Sequence, residues 1–337
     1  MEPLCYRVAP IGGDMKLVIQ IPAWNEEEHL AEAVAALPRE VEGFDEIEIL
    51  VIDDGSEDRT VDVAREAGTQ VVRLPVHRGL AVAFASGIDA ALERGADVIV
   101  NTDADGQYDA RDIPVLVAPI LAGDAQMVIG DRQVHTIRHF SATKKILQKL
   151  GSWVVRKLSR TEVTDATSGF RAISREAALK LHVFTRFTYT LETILQAGEA
   201  GLRVVSVPVR TRAEETRPSR LFRSNTGYVL RSLESIARIV ILYNPLRIFL
   251  RLGALPVVVG LALLARFLYF YITGESPAGH LQSLILAVIL ITVGVQVWVV
   301  GVVADLIAVN RRLLEEAVER QREGLGRERG RISRNLK

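Results

Sequence analysis

Asp97-Val98-Ile99-Val100-Asn101-Thr102-Asp103-Ala104-Asp105-Gly106-Gln107-Tyr108-Asp109 sets the organisation of this chain. Val98 to Val100 is a β-branched run that reads as a strand buried on both faces, and it stops at two carboxylates one residue apart, Asp103 and Asp105. Carboxylates at i and i+2 on a strand leaving its sheet can both turn toward one hard divalent cation. Gln107 adds a neutral oxygen and substrate phosphates complete the shell, a donor set that suits Mg²⁺ or Mn²⁺. Standing alone, Asp-Ala-Asp-Gly is more often a polar turn after a strand. The surrounding chain supplies the weight.

Upstream, strand, loop and helix repeat. Leu17 to Pro22 reads as a strand, and Ala23 to Glu28 opens a helix with apolar Leu30, Ala33, Val34 and Leu37. Glu48 to Ile52 is a second strand ending at Asp53-Asp54-Gly55-Ser56, followed by a helix from Asp58 to Ala67, a short strand Gln70 to Leu74 and a helix Gly79 to Arg94. This alternation predicts an α/β fold with a mostly parallel sheet and helices on both faces. Ligands of such sheets sit beyond the carboxyl ends of the strands. Pro22 to Glu26, Asp53-Asp54 and Asp103 to Gln107 all fall on that edge. The glycine fingerprints G-x-G-x-x-G and G-x-x-x-x-G-K-[ST] are absent, so neither a dinucleotide-binding dehydrogenase nor a P-loop NTPase is supported. Carboxylates at Glu26 and at Asp53 or Asp54 suit hydrogen bonds from a nucleobase or ribose; Asp53-Asp54-Gly55-Ser56 also reads as a plain turn with a helix cap.

Four segments in order, Ile21-Pro22-Ala23-Trp24-Asn25-Glu26-Glu27, Val51-Ile52-Asp53-Asp54-Gly55-Ser56-Glu57-Asp58-Arg59-Thr60, His77-Arg78-Gly79-Leu80 and Asp103-Ala104-Asp105-Gly106-Gln107-Tyr108, resemble the family 2 glycosyltransferases of the GT-A fold. Within that family the sequence is most similar to the polyprenyl-phosphate glycosyltransferases, the dolichol-phosphate mannosyltransferase group. The resemblance implies a nucleotide-sugar site at Pro22, Trp24, Asn25, Glu26, Ile52, Asp53, Asp54, Asp103, Ala104 and Asp105, and a metal held by Asp103, Asp105 and Gln107. It places Arg132 of Gly130-Asp131-Arg132 near the donor phosphates, so that Asp103, Asp105 and Arg132 form the catalytic set. Asp165-Ala166-Thr167-Ser168-Gly169-Phe170-Arg171 matches an acceptor-side loop. Some relatives carry an acid, proposed as a base, where this chain has Gly169.

A lipid phosphate does not need that base. Its second pKa lies near ~6, so it arrives mostly as a dianion, and positioning and electrostatics carry the reaction. Basic residues that suit the acceptor phosphate are Lys144, Lys145, Arg217 and Arg220, with Ser219 between the last two and Arg223 beyond. His77, His135, His139 and His182 show no metal-ligand spacing and receive no catalytic role.

The 337 residues carry 41 basic and 41 acidic side chains, and the mean hydropathy is nonetheless positive because apolar and polar material are segregated. A single cysteine, Cys5, precludes an internal disulfide and suits a cytosolic setting. Residues 1–14 form an N-terminal extension without a signal-peptide pattern, and 15–223 are the expected catalytic domain. Residues 224–250 read as an amphipathic interfacial helix and connector. Within 251–310, the apolar segments 252–272 and 281–303 are each long enough to cross a bilayer. The loop from Thr273 to His280 holds no Lys or Arg, whereas Arg247, Arg251, Arg311 and Arg312 flank the spans, which predicts a cytoplasmic catalytic domain and cytoplasmic ends. Arg266 within the first span is expected to snorkel or to form a structural pair. The tail 311–337 is polar and basic, with disorder expected from Gly324 onward.

The resemblance implies transfer of one sugar from a GDP-mannose- or UDP-glucose-type donor to a dolichyl or undecaprenyl phosphate, and the charge flanking the two spans places it at the cytoplasmic face of the cell membrane. A processive polysaccharide synthase is the alternative enzyme, but its Q-x-x-R-W motif is missing and the chain has no Arg-Trp dipeptide. A non-catalytic nucleotide-sugar-binding scaffold is the alternative outside enzymes, and it would have no use for Asp103, Asp105 and Gln107. Zero net charge and no basic aromatic surface argue against nucleic acid. A homo-oligomer is compatible with the sequence.

Overall fold

The computed structural model describes residues 15–133, 152–183 without 154, 158 and 160, 189–211, 245–273 and 281–335, together with 234, 237, 238 and 241. Lys144, Lys145, Arg217, Ser219 and Arg220 lie outside the described residues, as do the extension 1–14, most of the expected interfacial helix and the loop 274–280.

Seven strands form one sheet in the order β3-β2-β1-β4-β6-β5-β7. They are β1 (Lys16–Ala23), β2 (Glu46–Asp53), β3 (Gln70–Arg73), β4 (Val98–Asn101), β5 (Met127–Asp131), β6 (Arg171–Ser174) and β7 (Val204–Pro208). Helices α1 (Leu30–Ala35), α2 (Thr60–Glu66), α3 (Leu80–Glu93), α4 (Ile113–Leu121), α5 (Arg175–Lys180) and α6 (Tyr189–Glu199) connect or cover the strands. The central strands are buried because both faces are covered: β4 is buried along its whole length and β1 from Leu17 onward. The predicted α/β architecture holds, with one addition. β6 runs antiparallel between β4 and β5, pairing Asn101 with Arg171 and Ile129 with Arg171.

That reversed strand decides where the site forms. The parallel strands end together at Ala23, Asp53, Arg73, Asn101, Asp131 and Pro208, and β6 starts at the same edge. The loop 165–170 is therefore delivered to the end of β4 by the reversal. Two polar residues interrupt the apolar strands, Gln20 and Asn101; both are fully buried and sit opposite one another in register. Gly87 of α3 lets that helix lie on β1 and β2, since a Cβ there would meet Gln20 Cδ and Ile52 Cδ1, each at 2.9 Å.

A second compact unit covers Leu233–Ala317. It contains α7 (Pro245–Ile272) and the first part of α8 (Leu281–Asn335). Both are long and apolar enough to cross a membrane, with mean hydropathies of 2.3 and 2.6, and most of their apolar side chains are exposed, as expected where lipid is the solvent. They meet through glycines. A Cβ on Gly253 would stand 2.7 Å from the Gly294 carbonyl oxygen, one on Gly294 would stand 2.7 Å from the Gly253 oxygen, and one on Gly260 would stand 3.0 Å from the Ala287 oxygen. Trp298 Nε1 donates to the Leu250 carbonyl at 3.0 Å. The Arg266 guanidinium lies 5.8 Å from the centre of the Phe270 ring.

Pro245 is the first residue of α7, a position where a missing N–H and a fixed φ cost nothing. One boundary differs from expectation. The segment after Gly324, expected to be disordered, continues α8 to Asn335 in spite of Gly326 and Gly330, with four arginines among its helix formers.

Candidate active site

The loops after β1 and β2, where the donor is expected, staple each other. Asn25 adopts a left-handed φ of 53°, tolerable for asparagine; its N–H donates to Ser56 Oγ at 2.9 Å, and its Oδ1 accepts from the Glu57 N–H at 2.9 Å. The Glu26 N–H donates to Thr60 Oγ1 at 2.9 Å. Pro22 and Ile52 face each other in register beneath these loops, both buried. Asp53 is buried too, accepting from the Ser56 N–H at 3.1 Å and paired with Arg73 Nε at 3.2 Å.

Asp54, only 2% exposed, organises a turn. Its two oxygens accept from the N–H groups of Arg78 and Gly79, both at 2.8 Å, and His77 Nδ1 lies 2.9 Å from Oδ2. Gly79 has a φ of 96°, open only to glycine without strain, and it starts α3. The His77 ring stacks on Trp24 with centroids 4.0 Å apart and an interplanar angle of 23°. What Asp54 does is thus to place an aromatic pair at this edge, and His77, given no role from the sequence, is one half of it.

Beyond β4 the two carboxylates behave differently. Asp105 is exposed, and its Oδ1 accepts from the Gln107 N–H at 3.0 Å. Asp103 is largely enclosed, and no hydrogen-bond donor among the described residues reaches its carboxylate. Burial, reinforced by the Asp105 charge, pushes the Asp103 carboxyl up to about 7, although Arg132 and Arg171 pull the other way. A carboxylate that is enclosed, without donors and beside a second carboxylate fits a cation between them. No group of three His, Cys, Asp or Glu side chains converges among the described residues, so a cation at Asp103 and Asp105 would need further oxygen ligands, such as phosphates, to complete its shell.

Arg132, expected near the donor phosphates, is held by the 165–170 loop. Its Nε donates to Asp165 Oδ2 at 2.7 Å, and its Nη2 donates to Asp165 Oδ1 at 3.0 Å and Thr167 Oγ1 at 2.7 Å. Burial pushes the Asp165 carboxyl up, but the Arg132 guanidinium and the Thr167 donors outweigh it and hold it below the usual carboxylate range. Arg171 is fully buried and makes no ion pair among the described residues; it donates to the carbonyls of Ser168, at 2.9 Å from Nε, and Thr190, at 3.0 Å from Nη1. Its guanidinium stands 5.5 Å from the Tyr189 ring centre. Arg171, Tyr108, Tyr189 and Asn101 all surround Asp103 or its loop and were missed. The signal for Asn101 was present, as a polar residue ending an otherwise apolar strand.

A mixed sheet with one reversed strand and a carboxylate pair at its carboxyl edge defines a GT-A type nucleotide-sugar transferase architecture. Residues 18–181 match the family described as Glycosyl transferase family 2. An uncharacterized protein of Methanocaldococcus jannaschii is 33% identical over 218 residues, covering 63% of this chain and 88% of the relative. The chain belongs to glycosyl transferase family 2. The polyprenol monophosphomannose synthase of Mycolicibacterium smegmatis is 29% identical over 229 residues, covering 64% of this chain and 85% of that one. Among solved structures, glucosyl-3-phosphoglycerate synthase of Mycobacterium tuberculosis in complex with phosphoglyceric acid gives a TM-score of 0.50 at 25% identity, over 66% of this chain and 80% of that one. The same synthase with Mn²⁺, UDP and phosphoglyceric acid gives 0.50 at 23%, again over 66% of this chain and with 78% of that one covered, a likeness of fold.

Proposed function

We propose that the chain is an inverting glycosyltransferase that moves a single sugar from a nucleotide-diphosphate sugar to a polyprenyl phosphate at the cytoplasmic face of a membrane. The observation that carries it is Asp103, a partly buried carboxylate beside Asp105 that no hydrogen-bond donor among the described residues reaches, at the strand end where a diphosphate would complete the cation's shell. The similarity to a polyprenol monophosphomannose synthase supports the acceptor class, and the two apolar helices support a membrane setting.

Asp103, Asp105 and the Gln107 side chain would hold Mg²⁺ or Mn²⁺ on the donor diphosphate. When bound, the ion supplies Lewis-acid neutralisation of the departing nucleoside diphosphate. The protein's own part is placement. Trp24 and His77 offer an aromatic wall to the nucleobase, with Asn25, Glu26 and Asp53 bracing the loops around it. Arg132 fixes the 165–170 loop through Asp165, and the buried Arg171 charge lies behind that loop, lending positive potential to a site where two anionic substrates meet. The acceptor phosphate attacks as a dianion, so no side chain removes a proton, and Gly169 in place of an acid is compatible with that chemistry. Lys144, Lys145, Arg217, Ser219 and Arg220 remain the proposed acceptor-phosphate contacts.

The test is a transfer assay in detergent with polyprenyl phosphate and a panel of radiolabelled UDP- and GDP-sugars, with Mg²⁺ or Mn²⁺ and with chelator. Chelator-sensitive labelling of the lipid, abolished by Asp105→Asn, is the expected result. Donor binding without labelling of any polyprenyl phosphate overturns the acceptor assignment.

A further inference from the structure

Gly169 lies against the Asp103 carboxylate. A Cβ built on Gly169 would stand 3.0 Å from Asp103 Oδ1, 3.1 Å from Asp103 Oδ2 and 3.0 Å from the Tyr189 hydroxyl. Any side chain there has to displace the carboxylate or the phenol. The Gly169 peptide is also held at both of its polar atoms. Its N–H donates to the Tyr108 hydroxyl at 3.1 Å, and its carbonyl accepts from Asn101 Nδ2 at 2.8 Å.

The direction of that grip is fixed from across the sheet. Gln20 Nε2 donates to Asn101 Oδ1 at 2.9 Å, so the Asn101 amide presents its NH₂ to the Gly169 carbonyl and, at 3.3 Å, to the Tyr189 hydroxyl. Gln20 Oε1 is buried without a hydrogen-bond partner among the described residues. Two apolar residues in these strands would avoid that unmet acceptor and the desolvation of two amides. The polar pair therefore does something that packing alone does not ask for. Tyr108 makes a parallel case: its ring stacks on Phe170 at 5.0 Å, a contact phenylalanine would also make, whereas its hydroxyl reaches Gly169.

We propose that Asn101 and Tyr108 are positioning residues that pin the Gly169 peptide against Asp103, and so set the geometry in which Asp103 and Asp105 take their divalent cation together with a nucleoside diphosphate. This rests on the metal reading of the site given above. The pin also ties two loops to one another, because Tyr108 belongs to the segment that carries Asp103 and Asp105 while Gly169 belongs to the segment clamped by Arg132.

The experiment is a Mn²⁺ titration of the full-length protein in detergent, with UDP and separately with GDP, no acceptor present, read by electron paramagnetic resonance of free and bound Mn²⁺. Wild type is compared with Tyr108→Phe, Asn101→Ala, Gly169→Ala and Asp105→Asn, and a melting curve is recorded for each. Outer residues that orient metal ligands change affinity by ~10- to 100-fold. Tyr108→Phe and Gly169→Ala are expected to weaken Mn²⁺ binding within that range and to alter the bound-Mn²⁺ spectrum while melting within a few degrees of wild type. If Asp105→Asn abolishes binding but Tyr108→Phe and Gly169→Ala bind with wild-type affinity and spectrum, the pin is refuted and the metal site stands. If Asp105→Asn binds Mn²⁺ as wild type does, the metal reading fails and the pin with it.

Discussion

Replacing Asp103 by asparagine should make the metal-free protein more stable at pH 8. The Asp103 carboxyl is raised from an ordinary value of 3.8 to about 7, chiefly by burial and then by Asp105. A folded-state value above the unfolded one means the folded state holds its proton more tightly, so stability falls as pH rises from about 4 to about 7 and stays low above that. At about 1.36 kcal/mol for each pH unit between the two values, the full loss is on the order of 4 kcal/mol, of which roughly 2 to 3 kcal/mol accrues between pH 5 and pH 8. Asparagine has nothing to ionise. Urea titrations in detergent and chelator, followed by tryptophan fluorescence, should therefore show the variant's advantage growing by about that amount across this range. Saturating Mn²⁺ with a nucleoside diphosphate should restore the wild type and leave the variant unmoved. A gap between the two proteins that is constant from pH 5 to pH 8, or that shrinks as pH rises, would refute the reasoning.

Three further outcomes test other parts of the architecture. Asp165→Ala leaves the Arg132 guanidinium enclosed and unpaired, and should cost about 3 to 5 kcal/mol by urea titration, whereas Asp165→Asn, which keeps one acceptor, should cost less. Gly294→Leu forces a side chain toward the Gly253 carbonyl, 2.7 Å from its Cβ position; overpacking of roughly 1 to 3 kcal/mol should lower the melting temperature of the detergent-solubilised protein. A cysteine at Ser276, in a chain with Cys5 replaced by serine, should react with a membrane-impermeant reagent only from the non-cytoplasmic side of sealed vesicles; labelling from the cytoplasmic side alone would reverse the topology.

What could be read in advance was whatever depends on periodicity. The order of strands and helices from Lys16 to Arg94 follows from alternating apolar runs and glycine turns, and the carboxyl-edge rule then gathers Pro22 to Glu26, Asp53-Asp54 and Asp103 to Gln107 without any coordinates. The reversed β6 was not legible, because Arg171 to Ser174 is four residues long and its direction depends on pairing between β4 and β5. With β6 unplaced, the resemblance brings the loop of Gly169 to the acceptor side of the site but not its Cα against the Asp103 carboxylate. Side-chain partnership was equally hidden. Arg132 is an arginine at a strand end and looks free for phosphate until Asp165 is seen to hold it through two donors. His77 lacks ligand spacing, and its use as a stacking partner for Trp24 depends on how Asp54 folds the turn around Gly79.

The acceptor chemistry and the geometry at Gly169 bear on one another. Transfer to a hydroxyl requires a base near the nucleophile, and a carboxylate at position 169 is a reasonable place for one. Here that carboxylate would begin from a Cβ already 3.0 Å from Asp103 Oδ1, bringing a third negative charge to a site where burial and Asp105 already oppose ionisation of Asp103. A phosphate acceptor that arrives as a dianion removes the need for the base, and its own charge makes an additional carboxylate unfavourable on electrostatic grounds. The glycine then satisfies two demands together. It leaves room for the Asp103 carboxylate, and under the proposed transfer to a lipid phosphate it would keep like charge away from the acceptor. Gly169→Asp is accordingly expected to lower transfer to polyprenyl phosphate and to weaken Mn²⁺ binding in parallel. A variant that gained activity from the acid would show that proton removal limits the reaction, contrary to the base-free mechanism.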